Sequence, residues 1–489
     1  MSGNAPTAEQ QALIDGALEM VSSSSTPGGA IKALAGAGAG KTSTLINTAL
    51  AIRDAYPASR ILYLAYNRAI MLEAEQKFGG IADAFTINSF ALKGLGAGAK
   101  NRKLGTLRPD DIRKVLGNHL SDADVKLIRF SLKKFTEGAD IWPEITHIPD
   151  RIDGMTINAQ RKEKALAMLE DLLIRILPGT EETDHVLPHD VYLKAWQMAG
   201  SPGLDEYDIV MLDEAQDANP VILASLEGAG RSIYVGDSHQ AIYQWRNAVD
   251  ALQRVYGKAY PMTQSFRFGP AVADAANTIL NQKHDKPEHE IRGFERLLTE
   301  FGTVDRERKH ARIFRTNRAL IQESLVLFDR QIPFAIAGNN DELCRTLESV
   351  FALSRGDMSR VRHPFVRWLK SWDRAVSMAE QEKGELAQSI KIVEQYGQRV
   401  PEILHILKNF NDESSAIAVM TTAHRSKGRE WGNVIIAADF DEVIERSQTQ
   451  RNLWDAEMNL LYVAATRAMG TLDVRSQWLR KLLRLPGWV

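Results

Sequence analysis

The residues with the most evident chemical use are Ala35–Thr42, AGAGAGKT, where Gly36, Gly38 and Gly40 alternate with Ala35, Ala37 and Ala39 and lead into Lys41, Thr42 and Ser43. Glycines in such a turn can take backbone angles closed to other residues, so successive N–H groups can point at phosphate oxygens from the start of a helix. On that reading Ala35 to Ser43 wrap the phosphates. The Lys41 ammonium reaches the β and γ phosphates and the Thr42 hydroxyl holds Mg2+. The strict phosphate-loop pattern begins with glycine where this chain has Ala35, so the reading calls for independent support. That support is DIVMLDEAQD, Asp208 to Asp217, whose run Ile209 to Leu212 reads as a buried strand ending in two carboxylates. Ligands of open α/β sheets bind beyond the carboxyl ends of the strands. There Asp213 can hold Mg2+ through water and Glu214 can polarise an attacking water. Either motif alone is weak, but together they point to hydrolysis of ATP.

These side chains need a parallel sheet to position them, and the neighbouring segments supply its signals. Thr7 to Leu18 reads as a helix capped by Thr7, and Ile31 to Leu34 as a strand before the loop. RILYLAYN, Arg60 to Asn67, is nearly continuously apolar, as a strand covered on both faces must be, and leaves Asn67 and Arg68 at its end. A helix from Ala69 to Phe78 leads to AFTINSF, a short strand and turn holding Thr86 and Asn88. SIYVGDSHQAIYQWRNA, Ser232 to Ala248, is another strand, with Gln240 and then Tyr243, Trp245 and Arg246 past its exit. Those aromatics are either core anchors or platforms for stacked bases, and the charged neighbour favours stacking.

From about Leu95 to Lys194 the pattern is helical and charged with no clear strand, which predicts an inserted helical domain. Its Lys100, Arg102, Lys103, Arg108, Lys133 and Lys134 either line nucleic acid or form solvated faces. Ala311 to Leu320 and Asn433 to Phe440 are strand-like and alternate with helices, which predicts a second α/β lobe. In the helix expected around Glu457 to Met469, Leu460, Val463, Ala464 and Arg467 share one stripe, so Arg467 should point inward. An inward arginine needs an anion, either a structural carboxylate or a phosphate. Glu348 to Glu413 is mostly helical, with Trp368 and Trp372 either core residues or DNA contacts, the core reading favoured.

A chain of 489 residues is too long for one core, so several domains are expected. Its 44% hydrophobic and 25% charged content is ordinary for a globular protein, and no apolar run approaches the roughly 20 residues of a membrane span. The N-terminus lacks a basic segment followed by an apolar core, so no signal peptide is expected and the mature chain should start here. A single cysteine, Cys344, rules out an internal disulfide and a cysteine-based zinc cluster, and suits a cytoplasmic setting. The net charge of −2 does not announce a nucleic-acid binder, so any such surface must be local.

In order along the chain, AGAGAGKT, DEAQD, GDSHQAIYQWR, MTQSFRFGPAVADAANTIL (Met262 to Leu280), TTAHRSKGREW (Thr421 to Trp431) and EMNLLYVAATRAM (Glu457 to Met469) resemble the motifs of UvrD/Rep/PcrA-like superfamily 1 DNA helicases. That family admits alanine at the first loop position. HDVYLKAWQ, VEQYGQRVPEIL and NLLYVAATRA bring the chain nearest in look to the F-box DNA helicase branch, without an F-box or other N-terminal extension. The resemblance implies two RecA-like P-loop NTPase lobes, α/β with parallel sheets and a helical insertion in each. Residues 1–94 with 195–258 would form the first lobe, 95–194 its insertion, 259–347 with 414–489 the second lobe, and 348–413 a small second insertion.

It further implies ATP and Mg2+ as cofactors. Gln10 would recognise adenine, with Phe266 stacked on it where many relatives have tyrosine, and Glu430 would approach the ribose. Gln240, Arg267 and Arg467 would contact the γ-phosphate. Asn67, Arg68, Thr86 with the TINS segment, Tyr243, Trp245, Arg246 and His424 would contact single-stranded DNA. Asn88 stands where many relatives have histidine, and Ser238, His239 and Arg429 also depart from the pattern. The implied activity is an ATP-dependent helicase or translocase, 3′ to 5′, in DNA repair, recombination or replication. Its partners would be single strands and single-strand/duplex junctions, with no membrane contact, and the chain would be a monomer. A protein-displacing translocase that unwinds poorly and an ATP-gated binding subunit are the rival readings.

Overall fold

Near-continuous apolar segments alternating with helical periods build two parallel sheets here. The computed structural model describes residues 5–23, 29–152, 155–179, 185–242, 250–381 and 384–485. The chain divides into two compact units, residues 1–36 with 40–262 and residues 263–489 with 37–39.

The strands of the first unit are, in chain order, β1 (Gly29–Ala35), β2 (Ile61–Ala65), β3 (Asp83–Thr86), the short pair β4 (Arg151–Ile152) and β5 (Met155–Thr156), then β6 (Ile209–Leu212), β7 (Arg231–Gly236) and β8 (Lys258–Met262). Six of them form one sheet in the order β3-β2-β6-β7-β1-β8, every pairing parallel. β2 and β6 are buried at every position, as strands covered on both faces require. The parallel register brings the C-terminal ends of β1, β2, β3, β6 and β7 to one edge, where the loop leading to Lys41, and Asn67, Thr86, Asp213 and Glu214, emerge. Among the described residues between Leu95 and Lys194 the regular structure is helical apart from β4 and β5, an antiparallel pair absent from the sequence reading. Two residues per strand leave no periodicity to detect. These helices share one core with the sheet, because Leu62 and Leu64 join Phe90, Trp196, Leu132, Leu169 and Leu173 in a continuous buried cluster. Phe90 meets Trp196 and Tyr207 edge-on at 5.8 and 5.9 Å.

In the second unit β9 (Glu300–Phe301), β10 (His310–Phe314), β11 (Phe334–Ile336), β12 (Ala418–Thr422), β13 (Trp431–Ile436) and β14 (Ala468–Val474) form another parallel sheet in the order β11-β12-β10-β13-β14-β9. The helices Asp341–Ser354, Glu385–Tyr396 and Val400–Asn409 pack onto its β11–β12 side in a core with Phe314, Leu320 and Met420. Trp368 departs from its expected place in the core. It is 38% exposed, stacked on Phe365 with the Arg374 guanidinium 4.3 Å above it, because its short helix Pro364–Leu369 turns Val366 and Leu369 inward instead. Among the described residues no helix is long and apolar enough to cross a membrane.

Candidate nucleotide and nucleic-acid sites

The loop after β1 turns through Gly38 and Gly40, both at φ +75°, and delivers Lys41 as the first residue of the helix Lys41–Ala55. A side chain at either glycine would be strained, so the alternating small residues follow from backbone geometry. Gly36, expected to share that freedom, does not adopt a positive φ. It is still governed by the sheet, with its N–H donating to the Met262 carbonyl at 2.9 Å. Ala35 is the buried last residue of β1, and Ser43 is exposed in the helix's first turn.

Asp213 leaves β6 with only 2% of its surface exposed. Its Oδ2 accepts from the Thr42 hydroxyl at 3.0 Å and the Tyr63 hydroxyl at 2.8 Å, and its Oδ1 from the Glu214 N–H at 2.8 Å. Burial, reinforced by the Glu214 charge, pushes the Asp213 carboxyl above the usual carboxylate range. Burial and then the Asp213 charge raise the Tyr63 phenol in turn. This donor chemistry fits a hard dication: Thr42 and Asp213 would hold Mg2+, which usually takes one or two carboxylates plus substrate phosphates and water. A cluster of three or more carboxylates, histidines or cysteines is neither required nor found among the described residues.

Glu214 stands in the left-handed region at φ 51°, ψ 44°, which aims its carboxylate back toward the loop. Lys41 Nζ lies 3.4 Å from Glu214 Oε1, and the Gln216 amide donates to Oε2. Gln240 is buried after β7, with Nε2 donating to Asp237 Oδ2 at 2.7 Å. Gln10 is buried in the capping box of the helix Ala8–Ser22, where its Oε1 accepts from the Thr7 N–H at 3.0 Å. Its side chain therefore has a structural task whatever else it does.

At the same edge Asn67 and Thr86 are helix N-caps, their side-chain oxygens accepting from the Ile70 and Ser89 N–H groups at 3.0 and 3.1 Å. Arg68 and Asn88 are exposed beside them. Tyr243, Trp245 and Arg246 lie outside the described residues.

The second unit brings Arg267, Glu430 and Arg467 to one end of its sheet. Arg267 Nε donates to Glu430 Oε2 at 2.7 Å. Phe266, 36% exposed, tilts against Phe294 at 5.7 Å. Arg467 corrects the sequence reading in one respect: the helix Arg451–Ala465 ends before it, Thr466 being the C-cap, so Arg467 sits in the turn leading into β14 instead of riding the helical stripe. It is nonetheless 1% exposed, donating to the Val463 carbonyl (2.8 Å), the Arg429 carbonyl (3.1 Å) and Thr466 Oγ1 (3.0 Å). The segment 429–431 thus steadies both arginines, Arg467 through a backbone carbonyl and Arg267 through Glu430. His424 sits in the short helix Ala423–Ser426 after β12, at the opposite end of the sheet. Orientation of the helix Arg451–Ala465 rests on Glu457, which receives a bidentate pair from Arg315, both contacts at 2.6 Å.

Sequence reading assigned no role to Tyr63, Gln216 or Asp237. Tyr63 is a polar group inside the apolar strand β2 whose partner Asp213 is 150 residues away, whereas Gln216 joins nearby Glu214 to Asp237, 21 residues on.

Two family models match: the UvrD/REP helicase N-terminal domain over residues 157–256 and the UvrD-like helicase C-terminal domain over residues 357–475. F-box DNA helicase protein 1 of Schizosaccharomyces pombe is 29% identical over 94% of this chain and 56% of its own length. F-box DNA helicase 1 of Gallus gallus is 28% identical over 98% of this chain and 50% of its own. The chain therefore spans about half the length of the curated relatives it matches. A crystal structure of the Pif1 helicase from Candida albicans aligns over 98% of this chain and 96% of its own at 13% identity, with a TM-score of 0.39.

Proposed function

We propose that the chain is a UvrD-like helicase, as the two matched segments support, and an ATP-driven motor that moves 3′ to 5′ on single-stranded DNA and opens duplex at junctions. The observation that carries this reading is the convergence at one sheet edge of Lys41 with Glu214 (3.4 Å) and of Thr42 with Asp213 (3.0 Å). Lys41 and the loop N–H groups would bind the phosphates, and Glu214 would orient the attacking water and polarise it. Mg2+, held by Thr42 and Asp213, would supply charge neutralisation on the phosphates. Arg267 and Arg467 are the proposed γ-phosphate groups, with Gln240 reporting the nucleotide's state. Glu430 and Phe266 are assigned to ribose and adenine. Asn67, Arg68, Thr86, Asn88 and His424 are proposed to track the strand.

Strand displacement on duplexes carrying a 3′ or a 5′ single-stranded tail tests the directional part. ATP-dependent displacement from the 3′-tailed substrate alone is expected. Displacement from the 5′-tailed substrate alone would reverse the polarity, and none from either would leave a translocase without unwinding.

A further inference from the structure

The Gln216 side chain has no surface exposure, although the amide of a glutamine is costly to bury unless both its ends are bonded. Here both ends are. Its Nε2 donates to Glu214 Oε2, and its Oε1 accepts the Asp237 N–H at 3.0 Å. Asp237 then uses Oδ1 for the His239 N–H at 3.0 Å and Oδ2 for the Gln240 amide at 2.7 Å. A continuous chain of bonds therefore runs from Lys41 through Glu214 and Gln216 to the backbone that carries Gln240, within one unit. Gly236 leaves room for it: a Cβ there would stand 2.3 Å from Gln216 Oε1 and 3.1 Å from the Ala215 nitrogen.

We propose that Gln216 is a positioning residue that fixes the Glu214 carboxylate for hydrolysis and ties it to the Asp237–Gln240 segment, so that the DNA-dependent rise in turnover passes through this amide. The proposal rests on the reading of Glu214 as the group that polarises the attacking water. An amide suits the task better than a carboxylate or an apolar side chain. It donates to a carboxylate and accepts from a backbone N–H at once, with no charge of its own to set against Glu214. Glu214 stands in a left-handed backbone conformation, and the Gln216 bond helps to hold its carboxylate there.

Steady-state ATP turnover with and without saturating single-stranded DNA tests the proposal in the full chain, using Gln216→Met, Gly236→Ala, Glu214→Gln and the double variant Glu214→Gln/Gln216→Met, with ATP affinity and thermal midpoint measured in parallel. Gln216→Met should lower DNA-stimulated kcat on the order of 10- to 100-fold, as a misplaced catalytic group does. The KM for ATP should stay within about twofold, and the ratio of stimulated to basal turnover should fall. Gly236→Ala, which displaces the same amide from the other side, should shift kcat the same way. The double variant should be no slower than Glu214→Gln alone, because a residue acting through Glu214 has nothing left to act on. Native kcat in Gln216→Met, additive losses in the double variant, or a kcat loss matched by equal losses of ATP affinity and thermal midpoint would each overturn the proposal. Native turnover in Glu214→Gln would overturn the underlying assignment of Glu214, an outcome separable from failure of Gln216 alone.

Discussion

At the scale of single residues, the account assigns Lys41 a charge that no neighbour can replace. Lys41→Ala is expected to lower ATP turnover by at least about 100-fold in a phosphate-release assay, while the thermal midpoint stays near that of the native chain because Glu214, its ion-pair partner, remains bonded to Gln216. Arg315→Met should behave oppositely. It strands the Glu457 carboxylate, which is 6% exposed, and removing one partner of a buried pair costs about 3–5 kcal/mol, readable as a large drop in the urea midpoint. Positions such as Asp213 and Glu214 were legible because an apolar run stopped abruptly at two carboxylates. Tyr63 and Gln216 were not, since a hydrogen bond formed across 150 residues for Tyr63 leaves no local pattern. Arg467 shows a third case. Periodicity correctly placed it inward, but could not see that Thr466 ends the helix one residue earlier.

Secondary-structure elements bring their own tests, because two of the proposed DNA contacts are also caps. Thr86→Ala should cost roughly 0.5–2 kcal/mol of stability through the N-terminus of the helix Ile87–Gly94, measured by urea denaturation. Arg68→Ala is exposed and caps nothing, so it should leave stability alone and reduce the slope of log affinity for single-stranded DNA against log salt by about 0.7. In the helical region of the first unit, Lys194 is fully buried, its Nζ bonded to the Gly138 carbonyl at 2.9 Å and Gln197 Oε1 at 2.7 Å. Burial pulls this ammonium from its ordinary 10.5 down to about 8. Between those values the unfolded chain holds the proton that the folded chain has lost, so this group makes the fold more stable as pH rises through the window and changes nothing below it. The urea midpoint of the native chain should accordingly gain on that of Lys194→Met from pH 8 to 10. Strands of five or more buried apolar residues, such as β2, were readable to within a residue or two. β4 and β5, at two residues each, carried too few side chains to show an alternation.

For the molecule as a whole, a formal charge of −2 means that affinity for a polyanion must come from placement instead of bulk attraction. Arg68 and the caps beside it stand at the same edge as the phosphate loop, which is where the first unit would join DNA binding to hydrolysis. The parallel α/β class of both units followed from apolar segments alternating with helices. How the Arg429 carbonyl and the Glu430 carboxylate hold two distant arginines did not, because that arrangement exists only after β13 and β14 have paired. The most direct measurement is the ATP turnover of the native chain as single-stranded DNA is added at fixed salt. The account predicts a saturable rise of at least tenfold, on the order of 1.4 kcal/mol in the barrier, that is absent in Lys41→Ala. Turnover that is present but indifferent to DNA would contradict it.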